Sequence, residues 1–206
     1  MRLYGMLTSG NCWKAATILR LTGHAFEWQE TDGNAGATRT PEYLAVNPAG
    51  KVPAVVLDDG TLLTESNAIL LHFAEGTPWP PPPGLPRTRV HEWLFFEQYS
   101  HEPYVAVARN IRAWRREAHL HGDRLADCDA RGAQALDAME RRLTAQHWLA
   151  SGGPSIADLA LFAYTHRADE AGFDLVAWPG VAAWVARMTA LPGITPLPRP
   201  NGWPHA

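Results

Sequence analysis

The chain has 206 residues, 46% of them hydrophobic and 19% charged, with nine tryptophans and a formal net charge of -3. That is enough apolar material for one large or two small domains with a real core, and it excludes a disordered chain. The slightly acidic balance lacks the basic footprint that nucleic acid or an anionic membrane surface demands, so neither is an expected partner.

The N-terminus, "MRLYGMLTSG", lacks the apolar core of a secretion signal, and no run of about 18 apolar residues exists, so the cytoplasm is the expected compartment. Cys12 and Cys128 lie far apart and in no CxxC or Cys/His cluster. The nearest histidine pair, His119 and His121, falls in a polar stretch. Neither a disulfide framework nor a metal site is expected.

The first strand is expected at "RLYGM". A helix follows over residues 11–21 through Trp13, Ala16, Ile18 and Leu21, and Gly23 stops it. "FEWQET", residues 26–31, alternates as a half-buried strand does. A short helix at "PEYLAVN", a strand at "AVVLDD", a turn at Asp59 and Gly60, a strand at "TLLT" and a helix over residues 66–74 complete the order βαβαββα. Strand, crossover helix and strand imply right-handed parallel pairing, and the closing hairpin adds antiparallel edges to one mixed sheet.

"GTPWPPPPGLPRTR", residues 76–89, has too many prolines for helix or sheet and reads as an interdomain linker, the alternative being a polyproline ligand segment. Beyond it the pattern is helical over residues 87–100, 104–118, 126–145, 156–171 and 180–190, with Glu140 the imperfect member of an apolar face through Leu136, Met139 and Leu143. "LPGITPLPRPNGWPHA" has too many prolines to continue the last helix. The expected division is an α/β domain at 1–76, a linker at 77–88 and an all-α domain at 89–206.

Three stretches carry chemistry. In "TSGNCWK" Ser9 lies between the first strand and the first helix, where it either caps the helix, in competition with Asn11, or uses the helix N-terminus to stabilise a thiolate. In "NPAGKVPAVV" a cis Val52–Pro53 bond would turn the Val52 backbone outward toward a peptide-like ligand, whereas a trans proline would simply open a strand. In "TESNAILLHF" Glu65 and Ser66 start a helix, yet an acid beside a hydroxyl can also receive the ammonium and carboxylate of one amino-acid head group. Ser155 and Asp158 form an S-x-x-D capping box and are assigned to folding.

Together these stretches, above all "NPAGKVPAVVLDDGTLLTESNAILLHF", resemble the cytosolic glutathione transferases, with bacterial, serine-type, zeta- or theta-like members as the nearest pattern. The resemblance covers essentially the whole chain and implies a thioredoxin-like first domain and an all-helical second. It implies a homodimeric enzyme of detoxification that conjugates glutathione to a small hydrophobic electrophile, with glutathione as co-substrate and no other cofactor. On its terms Ser9 donates a hydrogen bond to the glutathione sulfur, with Asn11 a further candidate. Val52 and the cis Pro53 pair with the cysteinyl part, Glu65 and Ser66 hold the γ-glutamyl head, and Lys51, assisted by Arg39, meets the glycine carboxylate. Tyr99, Tyr104 and Arg109 stand on helices that usually wall the electrophile pocket; otherwise the aromatics are core and Arg109 forms an ion pair.

Cys12 completes S-x-x-C from Ser9 and is either buried and inert or redox-active. Two rival functions follow: a glutathione-dependent disulfide or peroxide reductase, and a non-catalytic binding protein on the same fold. A zeta-type isomerase matches only in part, because Gly10 and Asn11 replace the second serine and the cysteine of that motif.

Overall fold

A computed structural model describes residues 1–150 and 152–201. The chain divides at Thr77 into two compact units. In the first, β1 (Arg2–Gly5), β2 (Glu27–Glu30), β3 (Ala54–Val56) and β4 (Leu62–Thr64) form one sheet in the order β2-β1-β3-β4. β1 runs parallel to β2, with Leu3 opposite Trp28, and antiparallel to β3, with Leu3 opposite Val55; β4 pairs antiparallel with β3. The parallel pair is joined through α1 (Gly10–Leu21), and the antiparallel pair by a turn at Gly60, whose φ is +86°.

Helix α1 starts where Ser9 caps it. It stops at Thr22 and Gly23, where the His24 N–H reaches Leu19 O at 2.8 Å and the Gly23 N–H reaches Arg20 O at 3.1 Å, the paired bonds of a glycine-ended helix. It packs against α3 (Ser66–Ala74), and Ile18, Leu19, Ile69 and Leu70 are fully buried with Leu3 and Val55 of the sheet. Gly5 is dictated by close approach: a Cβ there would lie 2.6 Å from the Trp28 ring. A turn at Ala37–Arg39 and the short α2 (Pro41–Val46) lead into the loop before β3.

The second unit is helical. α4 (Leu85–Phe96) begins inside the expected linker, because Pro86 falls in its first turn, where a missing N–H costs nothing. The break expected between residues 100 and 104 does not occur. A wide π turn at Glu97–His101 leads directly into α5 (Glu102–Arg109), and a second at Asn110–Trp114 ends the helical run before the expected residue 118. The Glu102 N–H reaches back five residues to Glu97 O, and this wider turn accommodates the Pro103 ring that would clash with an ordinary one.

α6 (Gly122–Ala145) starts four residues earlier than the pattern indicated, and α7 (Ile156–Thr165) gives way to a tight turn at Ala168–Ala171 rather than running to 171. Every residue of α7 is buried; it is the axis of this core, packed on α4, α5 and, through Phe162 against Trp184, on α8 (Pro179–Thr189). Glu140, out of place on an apolar face, accepts the Gly180 and Val181 N–H groups at 2.9 Å each and so caps α8. Residues 191–200 run on without a helix, and the end of the proline-rich stretch, 202–206, lies outside the described residues.

Candidate active site

Ser9 has extended backbone angles, and its Oγ accepts the Cys12 N–H at 3.3 Å. Capping therefore uses one lone pair of the hydroxyl and does not itself consume its proton. Cys12 is different. It is fully buried among the core residues of α1, and burial pushes its thiol up to about 11 against the lowering by Ser9 and the Met6 backbone. A thiol held that high is not a thiolate at neutral pH, so the resting Cys12 is not an activated nucleophile.

Asn11, half-buried in the first turn of α1, is joined to the start of α3: Ser66 Oγ donates to Asn11 Oδ1 at 3.2 Å. Ser66 is itself 4% exposed. Beneath this pair lies a residue that the sequence reading passed over. Lys14 is completely buried, and its Nζ donates to Ser66 Oγ and to Asn67 Oδ1, both at 3.4 Å. A lysine inside the buried run Cys12–Leu19 was the available signal, because an ammonium is rarely buried without a polar network to receive it.

Glu65 precedes α3 with φ 63° and ψ 112°, a conformation that costs a non-glycine residue roughly 1–3 kcal/mol. Its side chain is exposed, while its carbonyl accepts the Ile69 N–H at 3.0 Å and opens the helix. The Val52–Pro53 bond is cis. The loop is fixed from its buried side, since the Lys51 carbonyl accepts both the Tyr43 hydroxyl at 2.6 Å and Asn47 Nδ2 at 2.8 Å. Pro53 is buried, Val52 is half-buried just before the ladder begins at Ala54, and the Lys51 side chain is exposed. Arg39 packs over Gly50, whose φ is +59° and where any Cβ would collide with the guanidinium, so both expected cations adjoin one loop.

In the second unit, Tyr99 and Tyr104 line one surface depression of about 180 Å³ together with Phe96, Arg131 and Gln134. Tyr99 is 84% exposed, and the Tyr104 ring is flanked by the Arg124 and Arg131 guanidinium groups at 5.8 and 5.5 Å. Arg109 is not among the lining residues: it is 2% exposed and paired through Nε with Glu170 at 2.8 Å. It occupies the inner face of α5, which packs on the Ala168–Ala171 turn, and its expected place in the electrophile pocket is corrected to a buried ion pair.

A mixed β2-β1-β3-β4 sheet with a cis proline before β3, followed by a separate helical unit, defines a thioredoxin-like N-terminal domain joined to an all-α C-terminal domain. Residues 3–81 match the family model "Glutathione S-transferase, N-terminal domain" and residues 113–187 the model "Glutathione S-transferase, C-terminal domain". The crystal structure of a glutathione S-transferase from Xanthobacter autotrophicus Py2 is 70% identical, with a TM-score of 0.94 over 96% of this chain and 97% of that one. Glutathione S-transferase 3 of Zea mays is 30% identical over 97% of this chain and 96% of its own length. Protein URE2 of Eremothecium gossypii is 27% identical over 93% of this chain, which spans only 66% of that protein. The chain belongs to the glutathione S-transferase family, as the resemblance in its sequence implied.

Proposed function

We propose that the protein is a glutathione transferase in which the first unit binds glutathione and its thiolate attacks a small hydrophobic electrophile. The observation that carries this reading is the meeting of Asn11 and Ser66 beside Ser9, which brings the Ser9 hydroxyl and the Asn11 side chain to the start of α1 next to the start of α3. In this reading Ser9 gives its proton to the sulfur as a hydrogen bond, and Asn11 is the second donor. The lowered thiol pKa raises the population of nucleophile, and proximity to the bound electrophile supplies the rest.

The remaining roles follow the geometry. The exposed Glu65 carboxylate receives the γ-glutamyl ammonium. The Ser66 proton is already donated to Asn11, so the γ-glutamyl carboxylate is taken by the backbone N–H groups that open α3. Val52 pairs with the cysteinyl backbone beside Pro53, and Lys51 with Arg39 meets the glycine carboxylate. Tyr99 and Tyr104 contribute to the electrophile pocket. The acting form is a cytosolic homodimer engaged in detoxification, with no prosthetic group. A reductase working through Cys12 finds no support in a buried thiol.

The test is the pKa of the thiol of bound glutathione, read from thiolate absorbance across pH. We expect it about one to two units below the roughly 8.5 of an unperturbed thiol, with Ser9→Ala recovering most of that shift. An unshifted thiol on bound glutathione would leave a binding protein rather than a transferase.

A further inference from the structure

The depression on the helical unit holds more than the two tyrosines assigned to the electrophile. Phe96, Tyr99 and Tyr104 bring aromatic rings to it, Ser100 and Gln134 bring a hydroxyl and an amide, and Arg131 brings the one charged group of its lining. No carboxylate is among these residues. Its volume of about 180 Å³ lies below the roughly 300–1,000 Å³ of sites for drug-sized ligands, so it accommodates a single ring with a short substituent.

The charges around it leave a positive excess. Arg131 Nε donates to Asp127 Oδ1 at 2.8 Å, and Arg124 Nη1 donates to Asp127 Oδ2, also at 2.8 Å. One carboxylate thus serves two guanidinium groups, both of which flank the Tyr104 ring. Arg124 directs its other end to the Pro103 carbonyl at 2.8 Å, so Arg131 is the cation that meets the depression. Its bond to Asp127 takes one of five N–H donors and holds the guanidinium beside the phenol. Exposed ion pairs of this kind add little to stability, so folding alone gives no reason for a second cation on Asp127.

We infer that this depression selects an acidic aromatic ligand, so that the electrophile is a single-ring compound carrying a carboxylate, which Arg131 receives through its Nη groups while the ring lies against Phe96 and Tyr99. The inference rests on the reading that Tyr99 and Tyr104 contribute to the electrophile pocket. Arg131 is then a specificity-determining residue: a neutral analogue keeps the aromatic contacts and forfeits the charge-assisted bond.

The experiment uses two electrophiles of matching shape, para-chloro-meta-nitrobenzoate and the corresponding benzamide. In both, the glutathione thiolate forms a bond to the ring carbon that bears chlorine, and chloride leaves with the electron pair of the broken C–Cl bond; the thiol proton has already passed to solvent. The quantity read is the benzoate-to-benzamide ratio of kcat/KM, divided by the same ratio for the uncatalysed reactions. It is expected to be about ten in wild type and to fall about tenfold in Arg131→Met. Arg131→Lys should fall less, because it keeps the charge and loses only the fork. The Arg131 side chain is 58% exposed, so neither substitution disturbs the core. A corrected ratio at or below one in wild type, or one unchanged in Arg131→Met, overturns the inference. Bound glutathione with an unshifted thiol overturns the functional reading and this inference together. A shifted thiol with no turnover of the benzoate, or with a ratio indifferent to residue 131, overturns this inference alone.

Discussion

Ser9 and Cys12 stand three positions apart in one helical turn and end in opposite environments. The backbone places Ser9 at the partly open start of α1, while Cys12, already inside the helix, points into the core and is fully buried. Cys128 is buried as well, and burial raises its thiol too. A thiol reagent such as an aromatic disulfide should therefore label neither cysteine of the native protein on the minute timescale and both in urea; rapid native labelling of one thiol would contradict this environment. The sequence read this region well in part. The helix starts beside Ser9 and at Ser66 were legible because caps are local features, whereas the cis Val52–Pro53 bond was expected only from the family resemblance. The burial of Lys14 was not legible, and for Arg109 an ion pair was one of two readings with no partner named, because whether a cation faces solvent or a buried partner depends on an element 52 or 61 residues away.

At the scale of the element, Asp158 shows how far a local signal can understate its structural role. The S-x-x-D spacing predicts a helix cap, which is ordinarily worth about 1 kcal/mol. In the folded unit the Asp158 carboxylate accepts the Ser155 N–H and hydroxyl, each at 2.9 Å, the Leu149 N–H at 3.1 Å and the Trp184 indole at 3.0 Å. Four donors from α7, α8 and the loop after α6 thus converge on one fully buried group. Asp158→Ala strands all four, and urea unfolding should register a loss of about 3–5 kcal/mol, well beyond a cap; a loss near 1 kcal/mol would mean that the surroundings relax around the gap. The helices whose limits shifted, α4 through α7, share a cause. Periodicity locates an apolar face, but a proline in a first turn, a π turn or a closing tight turn changes where the hydrogen bonds stop without changing that face.

Across the molecule, the division into an α/β unit and a helical unit was legible from the proline run and from the change of period on either side of it, since each unit buries its own apolar pattern. Polar tertiary links were not, and one of them makes stability depend on pH. His166 stacks on Phe162 with ring centroids 4.4 Å apart, donates its Nδ1–H to Phe162 O at 2.6 Å and accepts the Leu197 N–H at Nε2, so it is neutral, and burial first, then the nearby arginines, holds it down to about 3. Below about pH 6.5 the unfolded chain takes up a proton here that the folded chain refuses. Stability from this group is therefore fully present above about 6.5 and is lost as pH falls toward about 3, by about 1.4 kcal/mol per unit. Urea unfolding at pH 7 and pH 5 should show a smaller acid loss for His166→Gln than for wild type; parallel losses would refute the assignment.

The same region bears on how the protein is made. Glu170, completely buried, takes Arg109 from far upstream, yet Arg199, which follows it by 29 residues, supplies a second cation at 3.3 Å, and Arg167 and His166 are tied to Leu197. Translation delivers the first unit whole and early, whereas the core of the second acquires a buried carboxylate well before the segment that completes its surroundings has been synthesised. Cotranslational folding can thus finish the sheet domain, but the helical domain must wait, with α7 incompletely sealed, for the passage of residues 197–199 out of the ribosome.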